Sequence, residues 1–180
     1  MAKQFEQITD KLKSFIEAQK IFFVGTAGCE GRVNVSPKGM DSLRVVGPNR
    51  VIWLSVTGSG NESAAHVMEN GRMTVMFCAF EDAPTILRLY GKAAVVYPRD
   101  EAWPALIAQF PSLPGTRQIF DLSVELVQTS CGMAVPLYDF VEERDSLNNW
   151  AKKKGKAGIE AYWQEKNTSS LDGKPTHIFR

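Results

Sequence analysis

Val35-Ser36-Pro37-Lys38-Gly39 and, beyond a turn at Gly47-Pro48-Asn49-Arg50, Trp53-Leu54-Ser55-Val56-Thr57-Gly58-Ser59-Gly60-Asn61-Glu62-Ser63 decide the fold. The first stretch reads as a strand ending on a lysine. The second reads as a strand running into a glycine-rich loop and the start of a helix. Such a loop gathers backbone N–H groups and hydroxyls, the groups that surround a phosphate. A cation at one strand end and hydroxyls at the other suit a phosphorylated cofactor with a planar ring. The loop is neither a Walker nor a Rossmann fingerprint, because Gly58-Ser59-Gly60 is followed by no further glycine at the required step and by no Gly-Lys pair. A nucleotide hydrolase or a dinucleotide dehydrogenase is therefore poorly supported.

Outward from this stretch, strand and helix patterns alternate. Phe5, Ile8, Leu12, Phe15 and Ile16 recur at helical spacing and predict an amphipathic N-terminal helix. Strands are expected at residues 21–27, 33–37, 43–46, 51–57, 73–80 and 85–97. Asn61 or Ser63 caps a short helix to Asn70, with Ala64, Val67 and Met68 on one face and Gly71 as its stop. In the strand 85–97, Leu87, Leu89, Gly91, Ala93 and Val95 share one face and Arg88, Tyr90 and Lys92 the other. A helix is expected over 98–110, with Pro98 near its first turn and Pro104 able to divide it. Phe120, Leu122, Val124 and Leu126 alternate as a last strand, and helix returns around Leu147, Trp150 and Ile159. Six or so strands with helices at the ends point to a β-barrel.

The 180 residues, 44% of them hydrophobic, suffice for one domain spanning 1–180 with its own core. With 21 basic and 20 acidic side chains the net charge is +1, so no general field draws nucleic acid or acidic membrane. Lys152-Lys153-Lys154-Gly155-Lys156 is the one basic run, and it reads as a solvated helix end. Cys29, Cys78 and Cys131 are odd in number and far apart, which argues against a disulfide framework or zinc site and for a reducing, cytoplasmic setting. Residues 1–20 mix lysines and glutamates without a long apolar run, so neither a signal peptide nor a membrane span is expected.

Residues 32–91, continued through Ser130-Cys131-Gly132-Met133-Ala134-Val135-Pro136, resemble the pyridoxamine 5′-phosphate oxidase-like family of FMN-binding split barrels. The resemblance rests on the Ser-Pro-Lys-Gly strand end, the Asn-Glu-Ser helix start, the strand Ile86-Leu87-Arg88-Leu89-Tyr90-Gly91 and the Ser-Cys-Gly segment, in that order. It implies a mainly β protein, a six-stranded antiparallel Greek-key split barrel with flanking helices. It also implies FMN as cofactor, no metal, and a homodimer whose two flavin sites draw on both chains. The implied flavin-binding residues are Ser36, Pro37, Lys38, Gly39, Trp53, Leu54, Ser55, Thr57, Gly60, Asn61, Glu62, Ser63, Arg88, Cys131 and Trp150.

Taken alone, Lys38 reads as an exposed turn lysine, and the resemblance turns it toward the N1 and C2 carbonyl of a flavin. Arg88 reads alone as a surface ion-pair residue and, with the resemblance, as a clamp on the flavin phosphate. Asn61 and Ser63 look equally like an ordinary cap and a phosphate site. Trp53 and Trp150 are expected near the ring, with core packing as the competing role. His66 reads as a helix-surface residue, and with only His66 and His177 present a multi-histidine metal centre is excluded. Cys131 reads as a packing or flavin-adjacent residue.

True pyridoxamine 5′-phosphate oxidases hold the FMN phosphate with an arginine-lysine pair just before the helix, where this chain has Gly60-Asn61-Glu62-Ser63-Ala64-Ala65-His66. Ile86 stands where those enzymes place a glutamine. Oxidation of pyridoxine phosphate is therefore not expected. The expectation is an FMN-dependent oxidoreductase moving hydride through flavin N5, from a nicotinamide donor or an organic substrate. The alternative is a non-catalytic flavin carrier or redox sensor, and heme or deazaflavin binding ranks third for want of an arguable histidine ligand.

Overall fold

Alternation of apolar and polar residues produces the strands, and a computed structural model describes residues 2–180. In chain order the elements are β1 (Lys3–Phe5), α1 (Asp10–Ala18), β2 (Phe22–Thr26), β3 (Asn34–Lys38), β4 (Leu43–Gly47), β5 (Arg50–Val56), α2 (Glu62–Asn70), β6 (Arg72–Cys78), β7 (Ile86–Val96), α3 (Trp103–Ile107), β8 (Thr116–Ser130) and α4 (Ser146–Lys166). All strand pairs are antiparallel. Seven strands follow one another in the order β3-β2-β6-β7-β8-β5-β4, and β1 pairs with β8 as an eighth. The seven strand segments expected from the pattern are all present, and β1 makes an eighth, against the six that the resemblance implies. β1 takes Phe5 out of the expected helix, which begins only after Thr9, whose side chain caps it by accepting from Leu12 N–H.

The sheet curls but does not close. Its end strands β3 and β4 do not pair with each other. The short link between them folds back so that Leu54 N–H donates to Ser42 O at 2.8 Å. The inner face holds Phe22, Val24, Trp53, Val75, Phe77, Leu87, Leu89, Phe120 and Leu122, closed at one end by Ile8, Leu12 and Ile16 around α1. A second cluster of Ile52, Leu54, Val96, Leu106, Phe110 and Ile119 lies on the other face of β5 and β8, under α3. Pro98 does not open a helix here. Pro104 does, at the first turn of α3, where its missing N–H costs no bond.

Gly71 sits at φ 72° and stops α2 by donating to Val67 O, as its position after Asn70 predicts. Met68 turns outward rather than onto the core face, and His66, expected on the surface, is buried. Gly155, at φ 64° and ψ 174°, breaks α4, so Lys152-Lys153-Lys154 end its first half as exposed cations. Among the described residues no helix is long and apolar enough to cross a membrane.

Gly91 is needed for a different reason. The β7–β8 register slips there, with Tyr90 opposite Leu126 but Gly91 opposite Val124, so Glu125 is an extra, bulged residue. A Cβ on Gly91 would collide with the backbone carbonyl of Ser123. Gly91→Ala is expected to destabilise the protein by about 1–3 kcal/mol, measured as a lower urea midpoint at unchanged m-value.

Candidate functional site

The inward face of β3 carries the site. Asn34, Ser36 and Lys38 pair with Thr26, Val24 and Phe22, so their side chains turn toward the barrel while Val35 and Pro37 turn out. β3 is an end strand, so these three are half-buried rather than sealed. The strip is anchored at one end to the start of α2, where Asn34 Nδ2 donates to Ser63 Oγ at 3.2 Å. Thr26 Oγ1 lies 3.4 Å from Ser63 Oγ and 3.1 Å from His66 Nδ1. His66 Nε2 is buried without a hydrogen-bond partner among the described residues. At the other end the Lys38 ammonium stands 5.4 Å over the ring of Trp53. No carboxylate pairs with it among the described residues.

Lys38 is pushed down to about 8, first by burial and then by the positive charge of Arg117. Arg117 is missing from the residues expected above. It is the extra residue of a second β8 bulge, where Ser55 faces Gln118 but Val56 faces Thr116. Only 5% of it is exposed, and it has no acidic partner among the described residues. Its guanidinium donates to Gly60 O at 3.0 Å, Asn167 Oδ1 at 2.8 Å and Ser55 Oγ at 3.2 Å, and Nε finds no acceptor among the described residues. Burial brings it down to about 10. A β-strand arginine between a glycine turn and an apolar strand carries no sequence signal beyond its charge.

The hydroxyl-rich loop is largely occupied by the protein itself. Asn61 has the cap position of α2 but makes no capping bond. It exchanges hydrogen bonds with Gln118, at 2.7 and 3.3 Å, and donates weakly to Asn167 O at 3.4 Å. Thr57 donates to Gly115 O and accepts from Trp163 Nε1, both at 2.8 Å. Asn167 Nδ2 donates to Gly58 O. Both oxygens of Glu62 accept from Leu171 N–H at 3.0 Å. The segment after α4 thus folds over the loop, held further by Tyr97 O–H to Thr176 O and by the ion pairs Arg32–Asp172 and Lys174–Glu69. Burial pushes Tyr97 up to about 12. The N–H groups of Glu62 and Ser63, in the first turn of α2, donate to no protein group among the described residues.

The fifteen expected residues therefore fall into several groups. Ser36, Lys38, Gly39 and Ser63 share the β3 strip, with Ser55 behind it. Trp53 is not a stacking surface, for it is 1% exposed and stacks on Phe120 with ring centroids 4.4 Å apart. Leu54 points into the second core cluster. Thr57, Asn61 and the Glu62 side chain are engaged by the C-terminal segment, and Gly60 by Arg117. Pro37 and Arg88 are on the outer face, separated from the strip by the sheet, because Leu87 and Leu89 on either side of Arg88 fill the core. Arg88 donates to Ser130 Oγ at 3.1 Å beside exposed Cys131. Trp150 packs edge-on against Tyr162, 5.1 Å between centroids, and it is Trp163 that reaches the loop.

Comparison with known proteins accords with this architecture. Residues 8–131 match the family model for pyridoxamine 5′-phosphate oxidase. The chain is 35% identical over 189 residues to the pyridoxamine 5′-phosphate oxidase family protein ustO of Aspergillus flavus, covering 95% of this chain and 76% of that protein. A putative pyridoxamine 5′-phosphate oxidase from Lactobacillus delbrueckii superposes with a TM-score of 0.55 at 18% identity, over 68% of this chain and 94% of that one. HupZ from Group A Streptococcus, in a tagged form, superposes with a TM-score of 0.52 at 20% identity, over 66% and 91% of the two chains. The eight-stranded antiparallel sheet with its unclosed seam is a split barrel, and the chain belongs to the pyridoxamine 5′-phosphate oxidase family.

Proposed function

We propose that this chain is an FMN-binding oxidoreductase that holds its flavin along the inward edge of β3. One observation carries the reading. A strip of hydrogen-bonding side chains, Asn34, Ser36 and Lys38, runs from the free N–H groups at the start of α2 to an ammonium without an acidic partner. Four residues of strand at about 3.3 Å each make this about 13 Å, comparable with the extended span of FMN from its phosphate to the C2 carbonyl of its ring. The α2 amides of Glu62 and Ser63 suit the phosphate, by charge and by direction. Lys38 suits the ring end, where negative charge grows on reduction.

Hydride transfer at flavin N5 is the chemistry the group supplies when bound. The chain's part is to orient it, to offer the Ser36 and Ser63 hydroxyls, and to hold a positive charge at Lys38. A nicotinamide or a small organic molecule is the proposed hydride donor. Turnover of NADH or NADPH with an added acceptor separates this reading from a flavin carrier.

The proposal also includes a homodimer. On the outer face, Pro37, Phe23, Met76 and Arg88 form one row across four strands. Beside it Val33 and Val35 are 73% and 66% exposed, and the 133–141 segment exposes Met133, Leu137, Tyr138 and Val141. An apolar face of this kind favours association with a second copy. Light scattering at micromolar concentration is expected to give roughly twice the chain mass of 20.0 kDa, and a monomer under those conditions would refute the homodimer.

Lys38→Ala is expected to weaken FMN binding by roughly 1.5–3 kcal/mol, the loss of a charge-assisted bond. Arg88→Ala, across the sheet, should leave the affinity unchanged, and titration of FMN-free protein reads both. The flavin favours the ammonium form of Lys38, so affinity should hold below pH 8 and fall as pH rises through about 8. That fall should be absent in Lys38→Ala.

A further inference from the structure

Lys38 has surroundings that the flavin reading does not use. Its amine lies against the Trp53 ring rather than in open solvent, with Phe22 as its neighbour across the strand pair. Two residues along the same face of β5 from Trp53, Ser55 accepts from the Arg117 guanidinium. A second positive charge, sealed and without an acid of its own, therefore stands behind the lysine.

The other charged groups at this end are spoken for or hold no ion pair with Lys38. Arg44 is paired with Asp41 at 2.7 Å, and Glu17 with Lys13 at 3.8 Å. Lys20 lies over the ring of Phe140. Glu143, whose carboxylate lies 3.7 Å from where a Cβ on Gly39 would stand, makes no ion pair with Lys38. Where β3 ends at Gly39, the residue after Lys38, a cavity of about 280 Å³ opens over Ile16, Phe22, Leu43 and Phe77, lined also by the charged Glu17, Lys20, Asp41 and Arg44.

Burial in an apolar setting and a neighbouring cation are the two conditions that turn a lysine into a nucleophile, because both disfavour the ammonium. The ring face of Trp53 works the other way and favours the charge. The net effect brings the group down to about 8, so that at neutral pH a minor but substantial share, roughly a tenth, is free amine.

We propose that Lys38 is a carbonyl-capturing amine, forming an imine with small aldehydes whose apolar body enters the cavity beside Gly39. The lone pair of the neutral amine attacks the carbonyl carbon and a C–N bond forms. The two amine protons leave with the carbonyl oxygen as water, and a C=N bond remains. No oxidant or reductant is consumed, and no flavin is required, so the inference stands apart from the function proposed above.

At neutral pH an amine brought down to about 8 carries roughly 300 times more of its free-base form than an ordinary lysine. Lower basicity makes each free amine less nucleophilic, which leaves an expected advantage of about tenfold. The test treats the protein, without added flavin, with limiting benzaldehyde and cyanoborohydride at neutral pH, and maps the benzylated peptides by mass spectrometry. Lys38 should be modified about tenfold faster than exposed Lys152 or Lys153. Modification of Lys38 no faster than those two overturns the proposal.

The pH dependence gives a second reading that needs no variant to fold. A Lys38 rate that levels off above about pH 8 supports the proposal, and one still climbing toward 10.5 overturns it. In Arg117→Gln, if folded, the levelling should move to higher pH. An unmoved profile would show that Arg117 plays no part in activating Lys38.

Discussion

The hydrogen-bond ladder of β8 is the constraint on which the rest of the molecule depends. Fifteen residues long, it bonds to β7 along nearly its whole length, to β5 along its first half and to β1 near its end. A strand of that length would lie flat only without twist, and the two bulges at Arg117 and Glu125 bend it instead. One bend requires Gly91 opposite it, since a side chain there would meet backbone. The other delivers Arg117 to the loop after β5. Curvature of the barrel and placement of its buried cation are thus two results of the same extra residues.

Arg117 in turn organises the chain's end. A buried guanidinium must find acceptors, and here it finds three neutral ones in three segments: Ser55 on β5, Gly60 in the loop and Asn167 after α4. Asn167 brings with it Thr176, whose hydroxyl donates to its carbonyl at 2.6 Å, and Thr176 accepts from Tyr97. The C-terminal segment is therefore held to the barrel by polar contacts as much as by its few apolar ones. Because those acceptors carry no negative charge, the positive charge of Arg117 is felt beyond them, at Lys38 and at Tyr97.

The sheet also sorts the remaining cations. Lys38 on β3 and Arg88 on β7 are separated in the sheet by β2 and β6, and one faces the barrel while the other faces outward. A single phosphate cannot bridge that wall. The inner strip suits a cofactor held along a strand edge, whereas Arg88 lies in a row of exposed and half-exposed apolar residues that suits a protein surface. The two faces divide the roles that a linear reading had assigned to one site.

Much was decided by local pattern. The apolar runs of β2 and β5, the alternation in β7, the turn at Pro48-Asn49, the stop at Gly71 and the Ser36–Lys38 strand end are all legible because they depend on neighbours in the chain. The family, too, is carried by short stretches in a set order. What local pattern left open was the facing of groups across the sheet. The Asn61 cap looks free in sequence, but Gln118 and Asn167, 57 and 106 residues away, take up its amide. Trp53 looks like a ring-stacking surface, but Phe120 opposite it on β8 closes it into the core. Arg117 has no motif at all, and it matters only because a bulge turns it toward the loop that follows its partner strand. Pairing register and bulges are set by contacts remote in sequence, so the strands belonged to the sequence and the site to the tertiary structure.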